Sequence, residues 1–232
     1  AINYNAKLDQ IMLSVRTFDE LWVIDHSTTT AEAASHSGGR SGKGGDLLYR
    51  WGNPRAYRAG TAADQALFKQ HDTQWIPDKL PGAGRILVFN NGLGRGYSSV
   101  DEIVPPAVDA KGNYPRSGAA WGPKAAIWSY TVPDLYSRFV SSAQRLPNGN
   151  TLICDGPFGR VREVTNTKLQ VWQYTCPVGF SGPFKQGDAP AGMNLMFRSL
   201  RYAPDYPAFK NRNLTPGEPY EIYDSILRAD GS

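Results

Sequence analysis

One spacing occurs three times in the sequence: two aromatic residues separated by one position, then a proline three residues after the second aromatic. It is found in LLYRWGNP, AAIWSYTVP and LQVWQYTCP, whose prolines are residues 54, 133 and 177. Aromatic and polar residues that alternate over a short segment are typical of a β-strand. The recurrence therefore predicts a chain built from copies of one β-unit.

Each copy of this spacing follows two apolar strands joined by a short turn, and those two strands follow one further short strand. The paired strands are QIMLSVRTFDELWVID, RILVFNNGLGRGYSSVDEI and NTLICDGPFGRVREV, and the strands before them are AINYN, DTQWIPD and SAQRLPN. The predicted unit thus has four antiparallel strands, A to D, and residues 198–205, RSLRYAPD, supply a fourth strand A. Two insertions lengthen the first interval, and one of them contains the short helix that we predict at 61–70, TAADQALFKQ.

A four-stranded blade has two apolar faces, so it buries them by packing against neighbouring blades around an axis. We predict an all-β β-propeller of four-stranded antiparallel blades, of which this chain holds three full blades plus one strand. Residues 1–205 form this partial propeller domain and residues 206–232 a C-terminal extension. Known propellers have about four to eight blades, so we expect missing blades or a second chain to complete the ring. Trp51, Trp128 and Trp172 are expected in the core.

Charge and composition exclude several classes of function. The 25 basic residues are scattered among 21 acidic ones, which gives a net charge of only +4 and argues against a nucleic-acid partner. GGRSGKGGD lacks the spacing of a phosphate-binding loop. No membrane-spanning apolar run and no signal peptide are present in this chain. A first residue that is alanine rather than methionine indicates a processed protein or a fragment, and we favour the fragment.

The two cysteines, Cys154 and Cys176, are either a disulfide or two unpaired thiols. The repeat places them on non-neighbouring strands of one sheet, about two inter-strand spacings of about 4.8 Å apart, which favours unpaired thiols. With only three histidines, dispersed along the chain, no metal-ligand spacing is present, and no metal or organic cofactor is expected.

The order of the strands places the turn between strands B and C at the same end of a blade as the start of strand A. When the units are aligned on the prolines of WIPD, RLPN and YAPD, one position at the start of strand A holds His71, Ser141 and Arg198. The equivalent position of the first unit falls two residues before Ala1. Each B–C turn also carries an arginine: Arg16, Arg95 and Arg160.

Such a cluster suits an oxyanion, because guanidinium groups present paired N–H donors and stabilise negative charge on transferred oxygens. Histidine, with an ordinary pKa of about 6.5, serves as a nucleophile or an acid–base group. Asp72 follows His71, but consecutive strand side chains point to opposite faces, so it is not expected to contact the imidazole. A structural histidine and solvated turn arginines are the alternative. His26 and His36 lie in turn-like sequence and are left out of the site.

The segments LDQIMLSVRTFDELWVIDHSTTT, QHDTQWIPDKLPGAGRILVFNNG and SSAQRLPNGNTLICDGPFGRVREV resemble the bacterial arylsulfate sulfotransferases, in particular an aryl sulfotransferase-like branch. The similarity extends from Ala1 to about Pro216. It implies a six-bladed propeller, of which this chain would be the C-terminal half, with a funnel-like site on its axis. It also implies transfer of a sulfuryl group between phenols through a transiently sulfated histidine. His71 and Arg95 match the family's site best, whereas Ser141 departs from a histidine.

We therefore expect a nucleotide-independent aryl sulfotransferase with His71 and Arg95 as catalytic residues. Its partners are a small-molecule aryl sulfate and a phenol. The expected substrate-binding residues are Arg16, Arg160, Arg198, Tyr97 and Ser141. Tyr97 and Trp75 are candidates to stack on a phenolic ring, although core packing is favoured for Trp75. Periplasmic or extracellular localisation follows from the resemblance alone. The alternative is a non-catalytic propeller that binds an anionic ligand or a protein partner on the same face.

Overall fold

The alternating apolar segments of the sequence form β-strands in the structure. The computed structural model describes residues 1–116, 118–185, 187–188 and 194–218. Over these residues the protein is all-β, with three four-stranded antiparallel sheets and one sheet of two strands.

The four strands of each large sheet lie side by side in chain order. The first sheet contains β1 (Ile2–Asn5), β2 (Gln10–Val15), β3 (Glu20–Asp25) and β4 (Tyr49–Trp51). The second contains β5 (His71–Trp75), β6 (Ile86–Asn90), β7 (Ser99–Ile103) and β8 (Trp128–Tyr130). The third contains β9 (Ser142–Arg145), β10 (Thr151–Asp155), β11 (Arg160–Val164) and β12 (Gln170–Thr175). A separate hairpin contains β13 (Val178–Gly179) and β14 (Gly182–Pro183). The predicted unit is thus confirmed in its three full copies.

The second sheet is packed on both faces. Along β6, Ile86 and Val88 belong to an apolar cluster shared with the first sheet, and Leu87 and Phe89 belong to one shared with the third. All four side chains are fully buried. Because consecutive strand residues point to opposite faces, this alternation places one core on each side of the sheet. Each such side chain contributes about 1.5–3 kcal/mol by its burial. The stacking of meander sheets is propeller-like.

The third sheet packs one face on the second sheet, and the other face carries only a small apolar cluster. Its Ile153 and Val164 pack toward the second sheet, whereas Leu152 and Val161 form a small cluster with Leu146 and the half-buried Met196. Its last strand, β12, is exposed along its whole length. No fourth large sheet follows among the described residues, so nothing equivalent to the earlier clusters covers this face.

The repeated tryptophans reflect this difference between the sheets. Trp51 is 5 % exposed, Trp128 is half-buried and Trp172 is 44 % exposed. The predicted core role is confirmed for Trp51, and Trp75 is also buried in the core. It is wrong for Trp172 in this structure, because the sheet that would cover it is not among the described residues.

Side-chain amides join the innermost strands β1, β5 and β9. The Oδ1 atom of Asn3 in β1 accepts a hydrogen bond from the backbone N–H of Trp75 in β5, at 3.0 Å. The Nε2 atom of Gln74 in β5 donates to the backbone carbonyl of Ala143 in β9, at 2.6 Å. Neighbouring sheets are therefore tied at their inner edges by side chains rather than by a backbone ladder.

The predicted fourth strand A, residues 198–205, does not form a strand. Gln144 of β9 nevertheless accepts from the backbone N–H of Arg201 at 2.7 Å and donates to its carbonyl at 3.0 Å. This tie resembles those of Asn3 and Gln74, so the segment lies where a next strand A would lie. A strand needs a backbone partner on its outer side, and the described residues supply no strand B there.

The predicted helix at 61–70 is wrong: only a 3-10 turn, Ala62–Asp64, forms there. Leu67 turns into the core between the first two sheets, and so short a segment is not stable as a helix on its own. The one α-helix of the described chain, α1 (Thr30–Ala33), lies between β3 and β4 and begins with a capping box from Thr29.

Both cysteines are free thiols, which confirms the unpaired alternative. Cys154 lies in β10 and Cys176 directly after β12, with β11 between these two strands. Burial, with the nearby Asp155 carboxylate, raises the pKa of the Cys154 thiol to about 12, so this thiol stays protonated at neutral pH.

Candidate functional site

The start of β5 and the turn after β6 meet at one end of the second sheet. His71 is the first residue of β5, and Asn91 directly follows β6. The Nδ1 atom of His71 lies 2.7 Å from the Oδ1 atom of Asn91. The predicted proximity of a strand A start and the B–C turn is confirmed at this point.

The start of β5 contains a β-bulge that changes the direction of its side chains. His71 lies opposite Phe89 and Gln74 opposite Leu87, so two residues of β5 face one residue of β6 between these pairs. Asp72, inside the bulge, has a φ of 51°, in the left-handed region. Strict alternation therefore does not hold for the residues that follow His71.

Asp72 is buried and bonds to groups other than the imidazole. Its Oδ2 atom accepts from Gln74 Nε2 at 3.0 Å and from the backbone N–H of Ala143 at 3.3 Å. Its Oδ1 atom lies 3.5 Å from a guanidinium nitrogen of Arg198. Burial raises the pKa of Asp72, and the positive charge of Arg198 opposes that rise. Arg198 is thus brought to the site as the ion-pair partner of Asp72.

The environment of His71 favours the neutral imidazole. Burial is the main reason why the pKa of His71 is lowered; the hydrogen bond with Asn91 opposes this, and the positive charge of Arg16 adds to the lowering. The N-terminal ammonium group lowers the pKa further, and the Lys69 backbone opposes it. A largely neutral imidazole at pH 7 retains a nucleophilic nitrogen.

Arg16 is the turn arginine that lies in the field of His71. It is exposed at the end of β2, and its guanidinium group forms no hydrogen bond or ion pair with the described part of the chain. Its donors are therefore available to an anionic ligand beside the imidazole. The charge of Arg16, at the end of β2, thus acts on His71, which lies in the second sheet.

Removal of the Arg16 charge should raise the pKa of His71 toward its ordinary value, because a nearby cation disfavours the imidazolium form. We expect this shift in Arg16→Ala when the imidazole signals of His71 are titrated by NMR. Arg55→Ala, which removes an exposed arginine that does not perturb His71, should leave the titration unchanged. If the pKa of His71 is unchanged in Arg16→Ala, the charge of Arg16 does not act on the imidazole, and Arg16 does not belong to the site.

Arg95 is occupied by its own hairpin. Its Nη2 atom donates to Ser99 Oγ at 2.6 Å and its Nε atom to the carbonyl of Tyr97 at 3.2 Å. The guanidinium also lies 4.4 Å from the ring centre of Tyr97 and 5.3 Å from that of Phe68. Its Nε and Nη2 groups are thus held by protein atoms, and one face of the half-exposed Tyr97 ring is covered by Arg95.

Arg160 and Ser141 also have protein partners. Arg160 pairs with the buried Asp155 at 2.6 Å and with Asp134 at 2.9 Å. The Oγ atom of the buried Ser141 accepts from the backbone N–H of Gly156 at 3.0 Å. The structure therefore ties these two predicted ligand-binding residues to the fold of the third unit.

The strand register also corrects the predicted place of the first-unit equivalent of His71, which falls before Ala1. Asn3 lies opposite Met12 as Gln74 lies opposite Leu87, so Asn3 and Gln74 are equivalent. The first-unit equivalent of His71, three residues before Gln74, therefore falls immediately before Ala1 rather than two residues before it.

Sequence reasoning missed Asn91 and did not predict the ion pair of Asp72 with Arg198, although it correctly expected no contact between Asp72 and the imidazole. The pair Asn90-Asn91 after β6 looked like ordinary turn sequence. The sequence did contain a usable signal. Asn91 follows an apolar strand, and the predicted neighbour of that strand begins with a histidine. The bulge around Asp72 has no comparable signature in the sequence.

The described residues show neither a metal-binding cluster nor a membrane-spanning helix. They contain no group of three or more His, Cys, Asp or Glu residues placed to hold a metal ion. Within the same residues, no helix is long and apolar enough to cross a membrane.

The chain is similar to several solved structures, at low identity. A protein of unknown function from Bacteroides caccae is 12 % identical with a TM-score of 0.40, and the match covers 75 % of this chain and 44 % of that one. BamB from Moraxella catarrhalis is 14 % identical with a TM-score of 0.36, with 79 % and 38 % covered. Streptogramin B lyase is 10 % identical with a TM-score of 0.34, with 77 % and 54 % covered. The chain thus spans about half, or less, of the chains that it matches.

A scan against protein-family models gives no match, and a search of curated proteins gives none. The TM-scores of the three solved structures are too low to support an argument about function. The candidate site is therefore defined by its own contacts: a half-buried histidine that is held by Asn91 and whose pKa is lowered by burial and by the charge of Arg16.

Proposed function

We propose that this protein is a β-propeller aryl sulfotransferase in which His71 carries the sulfuryl group between a phenolic sulfate ester and a phenol. One observation carries the proposal: the His71 imidazole is half-buried, bonded through Nδ1 to Asn91, and lies in the field of Arg16. Its other ring nitrogen, Nε2, is the atom that would attack sulfur. No nucleotide or metal takes part in this reaction.

The reaction consists of two displacements. In the first, the Nε2 lone pair forms a bond to sulfur while the bond from sulfur to the phenolic oxygen breaks, and the phenolate leaves with the electron pair. In the second, the oxygen of the acceptor phenol attacks the same sulfur and the S–N bond breaks. The acceptor's proton passes to solvent or to the departing phenolate, and neutral His71 is regenerated.

Arg16 would hold the sulfuryl oxygens during both displacements. Guanidinium groups present paired donors that match a sulfate group and keep their charge at every relevant pH. Arg198 would add further positive charge, although Asp72 neutralises part of it. Arg95 and Arg160 support the proposal less, because protein groups hold their donors.

The proposal includes a closed ring, six-bladed as the sulfotransferase resemblance implies. The exposed last strand of the third sheet and the tie from Gln144 to Arg201 support a further blade on that side. Missing blades of a longer chain or a second chain would supply it. The same resemblance makes a periplasmic or extracellular location part of the proposal.

A covalent adduct on His71 tests this mechanism. The purified protein is mixed with 4-nitrophenyl sulfate without an acceptor, quenched at alkaline pH and digested, and the peptides are analysed by mass spectrometry. We expect a sulfuryl group on the peptide that contains His71, and its loss after a phenol is added. His26→Ala, which removes an exposed histidine bonded to Asp9, should leave the adduct unchanged. No adduct, or an adduct elsewhere, would overturn the assignment.

The second candidate function is binding without catalysis, of an anionic ligand or a protein partner on the same face. It is favoured by the engagement of Arg95 and Arg160 in structural contacts, which leaves few groups for transition-state stabilisation. In the same experiment this candidate predicts that 4-nitrophenyl sulfate binds without release of nitrophenol and without an adduct.

A further inference from the structure

The side chain of Asn91 lies between the imidazole of His71 and two backbone carbonyls. Its Nδ2 atom donates to the carbonyl of Ser137 at 2.8 Å and to that of Val140 at 3.0 Å. Asn91 is fully buried, so these contacts are not exchanged with water. Ser137 and Val140 lie in the segment that leads into β9, so the third unit fixes the orientation of this amide.

The two carbonyls determine the orientation of the Asn91 amide, that is, which side its Oδ1 and Nδ2 atoms face. A carbonyl oxygen only accepts hydrogen bonds, so the amide nitrogen of Asn91 must face Ser137 and Val140. Its Oδ1 atom therefore faces His71. An amide oxygen also only accepts, so the Nδ1 atom of His71 must carry a proton. In the neutral imidazole the lone pair is then on Nε2.

We propose that Asn91 is a positioning residue that locks His71 in the Nδ1–H tautomer and thereby makes Nε2 the reactive nitrogen. The inference rests on the proposed sulfuryl transfer for its catalytic meaning, but the tautomer is a property of the resting protein. Without Asn91 the proton would distribute between the two nitrogens, and part of the protein would have no lone pair on Nε2.

The same hydrogen bond should strengthen during the reaction. When Nε2 bonds to sulfur, the ring becomes positively charged and Nδ1–H becomes a better donor. The Oδ1 atom of Asn91 is already in place to accept from it, so it stabilises charge that develops only as the S–N bond forms. Loss of Asn91 should therefore lower kcat more than it raises KM.

Asn90 provides a matched control. It is also fully buried, but its amide donates to the carbonyl of Ala66 and to Asp101, and its Oδ1 atom accepts from the backbone N–H of Phe68. Asn90→Leu and Asn91→Leu thus remove adjacent amides with similar structural cost, and only the second removes a contact with His71.

The test is an NMR measurement of imidazole nitrogens in protein labelled with ¹⁵N-histidine, at a pH above the pKa of His71. We expect the wild-type protein and Asn90→Leu to show protonated Nδ1 and unprotonated Nε2, and Asn91→Leu to show a mixture. We also expect kcat to fall about 10–100-fold in Asn91→Leu, by analogy with groups that orient metal-ligating histidines, with KM little changed.

A wild-type signal for protonated Nε2, or the Nδ1–H signature retained in Asn91→Leu, would overturn the inference. The wild-type spectrum alone decides this even if Asn91→Leu does not fold. Because the spectrum does not depend on turnover, an inactive protein with protonated Nδ1 would overturn the transfer reaction and leave the assignment of the tautomer intact.

Discussion

Replacement of His71 by alanine should reduce release of nitrophenol from 4-nitrophenyl sulfate, in the presence of a phenol acceptor, by on the order of 10³-fold or more in kcat. This is the scale expected when a covalent nucleophile is removed and the remaining groups only bind the substrate. Folding should be little affected, because His71 is half-buried and bonded through one nitrogen. Circular dichroism of the variant checks that point.

The pH dependence of the wild-type rate is a second test of His71 as the nucleophile. The attacking imidazole must be neutral, and burial and the Arg16 charge lower its pKa. The rate should therefore be level at and above the ordinary histidine pKa of about 6.5 and fall only at lower pH, as His71 becomes protonated. A rate that falls with rising pH from neutrality would contradict the role of His71 as nucleophile. His36→Ala, an exposed histidine paired with Asp46, should retain the wild-type profile.

Trp51 and Trp172 both lie in the last strand of a unit and should differ strongly in their contribution to stability. Trp51→Ala should lower the free energy of unfolding by about 3–5 kcal/mol, the usual cost of removing a buried tryptophan. Trp51 is 5 % exposed, and its Nε1 atom donates to the carbonyl of Pro123 at 2.7 Å. Chemical denaturation followed by circular dichroism measures the change.

Trp172→Ala in the same chain should cost only about 1 kcal/mol or less, because the side chain is 44 % exposed. Each substitution thus controls for the other, since each removes a tryptophan from the last strand of a unit. Equal costs would show that the outer face of β12 is covered. If further blades complete the ring, the cost of Trp172→Ala in that complete ring should rise toward the value for Trp51→Ala.

The four-stranded unit could be predicted because strands buried on one or both faces leave regular patterns in the sequence. The segment ILVFN at β6 is a short apolar run between turns, and the structure divides it between two cores. The aromatic spacing identified β4, β8 and β12 as equivalent strands. The sequence did not indicate that Trp172 is exposed, because local pattern cannot report whether a neighbouring sheet is present.

The candidate site was predictable in its location and less so in its composition. Strand order alone places His71 near a B–C turn, and its bond to Asn91 bears this out. Partners of charged groups depend on side-chain contacts that the strand pattern does not specify: Arg160 is held by Asp155 and Asp134, and Arg198 by Asp72. Asp134 and Asp72 are distant in sequence from their arginines, and a bulge displaces Asp72, so alternation rules do not reveal these two pairs.

The amide ties between inner strands have a consequence for how such a protein changes over evolution. A typical hydrogen bond contributes about 0.5–1.5 kcal/mol net, so the ties at Asn3 and Gln74 are weak beside the apolar cores between the sheets. Residues of the inner strands are therefore free to diversify without loss of the scaffold. New side chains can arise there while each sheet stays folded.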